Sequence, residues 1–247
     1  MEYKVNINGI DVDAEFSEKA VNEIFLPLLL MLEKMQIEKG KRLIVMVAAP
    51  PGAGKSTLVS FLEELSKKEL KNVTVQAIGM DGFHRRQEYL LSHTVEIDKI
   101  QRPMVDIKGA PVTFDLDLLK SSVKRLLEAE SMGWPSYDRH LHNPVDNAID
   151  VNGDIILLEG NYLLLEQEGW RDISELADYT IFIRADEKLL RNRLIKRKAD
   201  SGNSILKAEQ FVDFSDMKNV KICLENSKKA NLELEVKNGD FTIISKI

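Results

Sequence analysis

Cysteine is nearly absent from this 247-residue chain. Cys223 stands alone, so no internal disulfide can form, and the composition suits a reducing, cytoplasmic setting. Positive charge is in deficit: 34 Lys and Arg face 40 Asp and Glu, a net charge of −6. Neither nucleic acid nor a membrane surface is therefore expected as a partner. Long apolar runs are missing too. The most apolar stretch, residues 24–32 (IFLPLLLML), is too short to span a bilayer and contains Pro27, so it reads as the buried face of a helix. The opening MEYKVNINGID has no basic region followed by an apolar one, so a signal peptide is not expected. There are no low-complexity tracts, no internal repeats and no Cys/His spacing suited to zinc. What remains is 44% hydrophobic content, enough for one large core or a core with small additions.

Local patterns give the architecture. Residues 3–16 alternate on both sides of Asn8-Gly9, which predicts a hairpin. Ser17 can cap a helix that runs to about Lys39, with Gly40 as its stop and Pro27 as a potential kink. Residues 42–49 (RLIVMVAA) form a continuous apolar run, the pattern of a strand covered on both faces in a parallel sheet. Further strands are expected at 73–79, 154–158 and 179–184, and a last pair at 232–236 and 241–245 around Asn238-Gly239. Helices are expected at 55–68, 115–130 and 186–198, with an interrupted one at 208–226. Buried strands alternating with helices imply an α/β fold, a parallel sheet flanked by helices. Such sheets place ligands at the carboxyl ends of their strands. The expected division is an N-terminal hairpin and helix, residues 1–40, followed by a larger domain at 41–247.

The first sheet strand ends in AAPPGAGKSTL, residues 48–58. Gly52, Ala53, Gly54, Lys55, Ser56 and Thr57 match the end of the phosphate loop G-x-x-x-x-G-K-[ST], while Ala49 replaces its first glycine. That position needs only a small residue. Pro50 and Pro51 donate no amide, so phosphate donors must come from Gly52 onward. In this motif Lys55 reaches the outer phosphates and the Ser56 hydroxyl ligates Mg²⁺. The second strand ends near Asp81, followed by Gly82. Spacing alone allows either a carboxylate that takes the proton of an attacking hydroxyl or an Asp-Gly turn. Residues 154–158 end in Glu159, which suits a metal-side carboxylate or a solvent-facing strand end. Arg193 and Arg197 share a helix face with the spacing of a phosphate clamp or of a solvated basic surface. Residues 198–207 are polar and contain glycine, as a mobile lid would, which places the lid at roughly 191–210. All four histidines and the segment WPSYDRH (134–140) fall between the first and third sheet strands, a composition suited to a polar small-molecule pocket.

At this point the residues resemble the phosphoribulokinase/uridine kinase group of P-loop kinases. The likeness is greatest to type I pantothenate kinase and to relatives named as fructose or nucleoside kinases. PGAGKST (51–57), MDGFH (80–84), KGAPVTFD (108–115), PSYDRHLHNPV (135–145), ILLEGNYLLL (156–165) and SDMKNVKI (215–222) occur in the family's order. The resemblance implies the P-loop NTPase fold, with ATP and Mg²⁺ as cofactors. It implies Asp81 as catalytic base, aided by Lys55, Arg193 and Arg197, and Glu159 with Ser56 on the metal. It puts His84, Lys108, Tyr137, Arg139 and His142 on the acceptor and borders adenine with residues 225–229. MDGFH and EGNYLLL look more like the fructokinase-named relatives, which weakens pantothenate as acceptor. The activity implied is transfer of the γ-phosphate to a hydroxyl of a small polar metabolite, a sugar before a nucleoside or pantothenate. The rival is a P-loop NTPase acting as a switch or ligand sensor. The sequence offers that rival neither an Asn-Lys-x-Asp segment nor a glutamine placed to orient water. Two hairpins and the added helix are compatible with a homodimer.

Overall fold

The computed structural model of the chain describes residues 1–246 other than 8, 98 and 238. In chain order, β1 (Glu2–Ile7) and β2 (Ile10–Glu15) lead to α1 (Glu18–Ala20), a π-helical turn (Val21–Phe25) and α2 (Leu26–Lys39). β3 (Leu43–Ala48), α3 (Lys55–Glu69) and β4 (Val75–Gly79) follow. Next come α4 (Gln87–Ser92), the short strands β5 (Thr94–Ile97) and β6 (Ile100–Pro103), and α5 (Leu116–Glu128). β7 (Met132–Asp138), β8 (Asn143–Val151) and β9 (Ile155–Gly160) precede α6 (Trp170–Ser174) and β10 (Tyr179–Ala185). The chain ends with α7 (Glu187–Asp200), α8 (Ile205–Phe211), a second π turn (Val212–Asp216), α9 (Met217–Asn226), β11 (Leu232–Lys237) and β12 (Asp240–Lys246).

Six strands form the central sheet in the order β12-β11-β10-β3-β9-β4. All neighbours are parallel except the edge pair β11–β12. The expected apolar run became β3, buried along its whole length. Its alternate residues serve two cores. Leu43, Val45 and Val47 face the layer built from α2 and α3, while Ile44, Met46 and Ala48 face the layer of α5, Trp134 and Tyr162. Residues 1–40 share the first of these cores. Phe16 stacks on Phe61 of α3 with ring centroids 4.1 Å apart, and Phe25 meets Phe241 of β12 edge-on at 5.5 Å.

Ser17 caps α1 by accepting from the Ala20 amide, as expected, and its hydroxyl also reaches both carboxylate oxygens of Asp240 at 2.9 Å. Gly40 ends α2 with φ of +65°. Pro27 does not break the helix. The π turn immediately before it absorbs the missing amide, with the Leu26 N–H bonded back to Val21. The interrupted helix expected at 208–226 begins at Ile205, capped by Ser204, and its interruption is the second π turn. The strands flanking Asn8-Gly9 and Asn238-Gly239 pair antiparallel. Asn8 and Asn238 themselves lie outside the described residues.

The hairpins β5–β6 and β7–β8 were not anticipated as strands. Residues 134–140, read only as a polar pocket segment, lie largely on β7. The register between Trp134 and Ser136 shifts around Pro135, which removes the regular alternation a strand would show.

Candidate active site

Sheet order brings three loops to one end. β9 lies between β3 and β4, and Glu159 pairs in register with Val47 on one side and Gly79 on the other. The carboxyl ends of β3, β4 and β9 therefore carry the phosphate loop, Asp81 and Glu159 side by side.

Ala49 is fully buried in the core, which explains the small residue at that position. Gly52 and Gly54 adopt φ of +83° and +91°. A Cβ on Gly52 would press on the Leu194 side chain at 3.2 Å, so the loop and α7 are in close contact. Helices α1, α5, α7 and α8 each have a Ser or Asp side chain accepting from their first amides. Helix α3 has Gly54 at that place and, like α2, α4, α6 and α9, no side-chain cap. The amides of Lys55, Ser56 and Thr57 are thus left to face an anion, with the positive end of the helix dipole behind them.

Ser56 Oγ donates to Glu159 Oε1 at 2.8 Å, and Lys55 Nζ stands 3.8 Å from Glu159 Oε2. Burial pushes the Glu159 pKa up, and the neighbouring Asp81 charge adds to the rise against the opposing pull of Lys55. Asp81 goes the other way. Burial would raise its pKa, but the positive charges of His84, Lys55, Arg139 and Arg197 prevail and hold it below 3.8. His84 Nδ1 lies 2.8 Å from the Asp81 carbonyl. A carbonyl only accepts, so Nδ1 carries the hydrogen and Nε2 is left as an acceptor. Desolvation lowers the His84 pKa below 6.5 and favours the neutral ring at pH 7.

Residues Asp81–Phe83 form a 3₁₀ turn, and Gly82 is required by packing. A Cβ there would overlap the backbone carbonyl of Pro135, because β7 crosses directly over the turn. The Trp134 indole N–H donates to the Gly79 carbonyl at 2.8 Å, fixing the same crossing. On the other side the KGAP segment is tied to the turn: Asp115 N bonds the Phe83 carbonyl at 2.8 Å and Arg85 N the Thr113 carbonyl at 2.9 Å.

The two ties build an aromatic and basic wall beside Asp81. The His84 ring packs 4.0 Å from Phe114 and 5.1 Å from Tyr137. Burial pushes the Tyr137 phenol up to about 12, so it remains a donor. Lys108 Nζ lies 5.0 Å from the Tyr137 ring centroid and donates at 2.8 Å to both Gln87 Oε1 and the His142 carbonyl. His142 takes part through its backbone, at φ of +52°, while its side chain is exposed. Arg139 stands at the exposed rim, and its charge acts on Asp81, His84, Tyr137 and Glu159.

Helix α7 separates its basic residues. Arg191 is bound in a two-pronged ion pair to Asp213 at 2.7 and 2.8 Å, and Lys196 pairs with Asp200. Arg193 donates to the Gly52 carbonyl at 3.3 Å, which places it on the phosphate loop. Arg197 shows much of its surface to solvent, but its guanidinium lies in the crowded cleft, where desolvation lowers its pKa. Asp216, at the end of the second π turn, was not singled out from the sequence. Burial raises its pKa against Lys198 and Arg197, so it belongs to the lid side of the same cleft. Its presence in the SDMKNVKI motif was the only signal available.

The fold, the phosphate loop and the strand-end carboxylates define a P-loop kinase of the uridine, pantothenate and phosphoribulokinase type. The chain belongs to the Phosphoribulokinase / Uridine kinase family, whose family model matches residues 44–237. It is 37% identical over 237 residues to the Escherichia coli K12 protein YggC, described only as uncharacterized, covering 96% of both chains. It is 30% identical over 204 residues to a Schizosaccharomyces pombe protein provisionally named a uridine kinase, covering 79% of this chain and 83% of that one. A crystal structure from Silicibacter sp. TM1040, provisionally named a fructose transport system kinase, matches with a TM-score of 0.75 and 28% identity. It covers 85% of this chain and 98% of the Silicibacter one.

Proposed function

We propose that the chain is an ATP- and Mg²⁺-dependent kinase that phosphorylates a hydroxyl of a small polar metabolite. A sugar is the leading acceptor class, a nucleoside the second and pantothenate the third. One observation carries the reading: burial would raise the Asp81 pKa, but His84 first, then Lys55 of the phosphate loop, Arg139 of the acceptor hairpin and Arg197 of the lid hold it down. It thus faces the donor and acceptor sides together. The MDGFH wording and the name of the Silicibacter relative favour a sugar.

The amides of residues 55–57 and Lys55 hold the outer phosphates. Ser56 and Glu159 would hold the metal. A hydroxyl and a carboxylate oxygen 2.8 Å apart suit a hard cation that takes its other ligands from phosphate and water. Among the described residues there is no cluster of three His, Cys, Asp or Glu to compete with that pair. When bound, Mg²⁺ neutralises phosphate charge. Asp81 accepts the hydroxyl proton as the acceptor oxygen forms its bond to Pγ. The bond from Pγ to the β–γ bridging oxygen breaks, ADP departs with that electron pair, and the proton passes from Asp81 to solvent. Arg193 and Arg197 offset charge on the transferring group. His84 Nε2 accepts from a second substrate hydroxyl, with Tyr137, Arg139, Lys108 and the His142 backbone completing the acceptor side.

The test is ADP formation from ATP with and without a panel of sugars, nucleosides and pantothenate. Acceptor-dependent ADP formation is expected. ATP hydrolysis at the same rate without any acceptor would favour a P-loop hydrolase or sensor instead.

A further inference from the structure

Several partly buried cations in this acidic chain sit beside carboxylates. Lys39 pairs with Asp178, Arg86 with Asp146 and Arg184 with Glu233. The wall beside Asp81 is different. Both groups bonded by Lys108 Nζ are neutral, the Gln87 amide oxygen and the His142 carbonyl. An ammonium has three donors, and among the described residues the third has no partner. The surroundings of Lys108 are aromatic and polar rather than acidic: the Tyr137 ring is 5.0 Å away, and the His84 ring lies 5.1 Å from that ring. Arg139, on the strand-end loop that follows Tyr137, has no hydrogen bond or ion pair among the described residues. Burial already lowers the Lys108 pKa, as expected of a half-desolvated ammonium without a counter-ion. Both Lys108 and Arg139 act on His84, while the charges that act on Asp81 are those of His84, Lys55, Arg139 and Arg197. The phosphates of ATP have their own cations in Lys55 and Arg193 at the loop.

We propose that the acceptor is itself an anion: a small polyol or hydroxy acid whose carboxylate or phosphate monoester is held by Lys108 Nζ, beside the Tyr137 ring and the His142 backbone. The inference rests on the kinase reading above and narrows it. An anion there supplies the missing counter-charge and takes the third Lys108 donor. Tyr137 and His84 then face the hydroxyl-bearing body between the anion and Asp81. A neutral sugar or nucleoside would leave the half-buried Lys108 ammonium without a counter-charge, which disfavours its binding.

The experiment measures ADP formation with matched pairs of acceptors that differ in one charged group. Gluconate against glucose and pantothenate against pantothenol form the carboxylate arm. Fructose 6-phosphate against fructose and UMP against uridine form the phosphate arm. The anionic member of at least one pair is expected to exceed its neutral partner in kcat/KM by about 100-fold or more, and the arm in which this happens identifies the anion. Lys108→Gln should shrink that preference by about 10-fold or more through KM, whereas Lys108→Arg should retain most of it. Titration with a fluorescent ADP analogue should give the same affinity for both variants, which shows that they fold. Neutral members turned over as well as their anionic partners would overturn the anion inference and leave the kinase reading standing. An unchanged preference in a nucleotide-binding Lys108→Gln variant would overturn the assignment to Lys108. ATP hydrolysis indifferent to every acceptor would overturn both readings.

Discussion

Asp81 and Glu159 stand at neighbouring strand ends, and their surroundings push them apart. Asp81 is surrounded by more positive charge than burial can offset, whereas Glu159 is raised by burial and by Asp81 itself. A carboxyl whose folded pKa is raised adds stability below its ordinary value, 4.5 for Glu159, and loses that contribution as the pH rises through the folded value. At pH 7 the raised pKa of Glu159 in the free protein therefore weighs against folding. Glu159→Gln keeps an oxygen for the Ser56 hydroxyl and removes the charge. Thermal unfolding without ligands should show its Tm equal to or a few degrees above the parent at pH 7, with the difference narrowing toward pH 4.5. The same variant should lose metal-dependent ATP turnover. A lower Tm at pH 7 would mean that the contact with Lys55 outweighs the burial of charge.

At the scale of elements, the site is a meeting of α3, the turn after β4, the end of β9, the β7–β8 hairpin and α7. Helix α7 divides its cations: Arg191 and Lys196 are bound to acids on the lid, while Arg193 and Arg197 face the loop and the cleft. Arg197→Met should lower kcat by about 100-fold with little change in Tm, whereas Lys196→Met should leave kcat within about twofold; steady-state kinetics separate the two. How much of this was legible followed from local pattern. The strand that carries Glu159 read clearly because its residues are continuously apolar, and Ser17 and Gly40 marked helix ends through ordinary capping chemistry. The β7–β8 hairpin did not read as strands, because Pro135 and a register shift disrupt alternation and its outer face is polar. Gly82 carried a turn signal, yet its glycine answers to the Pro135 backbone, a contact between segments far apart in sequence. Asp216 was passed over because burial beside Lys198 and Arg197 is a tertiary property. The pairing of Arg191 with Asp213 was likewise invisible, so the spacing of basic residues on α7 did not by itself select Arg193 and Arg197.

For the whole molecule, the β1–β2 hairpin and α2 are packed into the same core that supports the phosphate loop. Phe16 links α3 to β12 through its rings on Phe61 and Phe241, and the Tyr3 hydroxyl lies 2.7 Å from Ser60 on α3. Phe16→Ala should destabilise the fold by about 3–5 kcal/mol, read by denaturant unfolding, although the residue is in neither the loop nor the cleft. A loss under about 1 kcal/mol would show that residues 1–40 dock only loosely. Among the described residues no helix is long and apolar enough to cross a membrane.

The central claim is that Asp81 takes the proton of an acceptor hydroxyl while the phosphate loop binds ATP independently of it. The direct measurement is single-turnover transfer of the labelled γ-phosphate from ATP to the preferred acceptor by the parent and by Asp81→Asn, with ATP affinity titrated in parallel. Transfer should fall by about 10²–10⁴-fold while ATP affinity changes by less than about threefold. Transfer at the parent rate by Asp81→Asn would contradict the account.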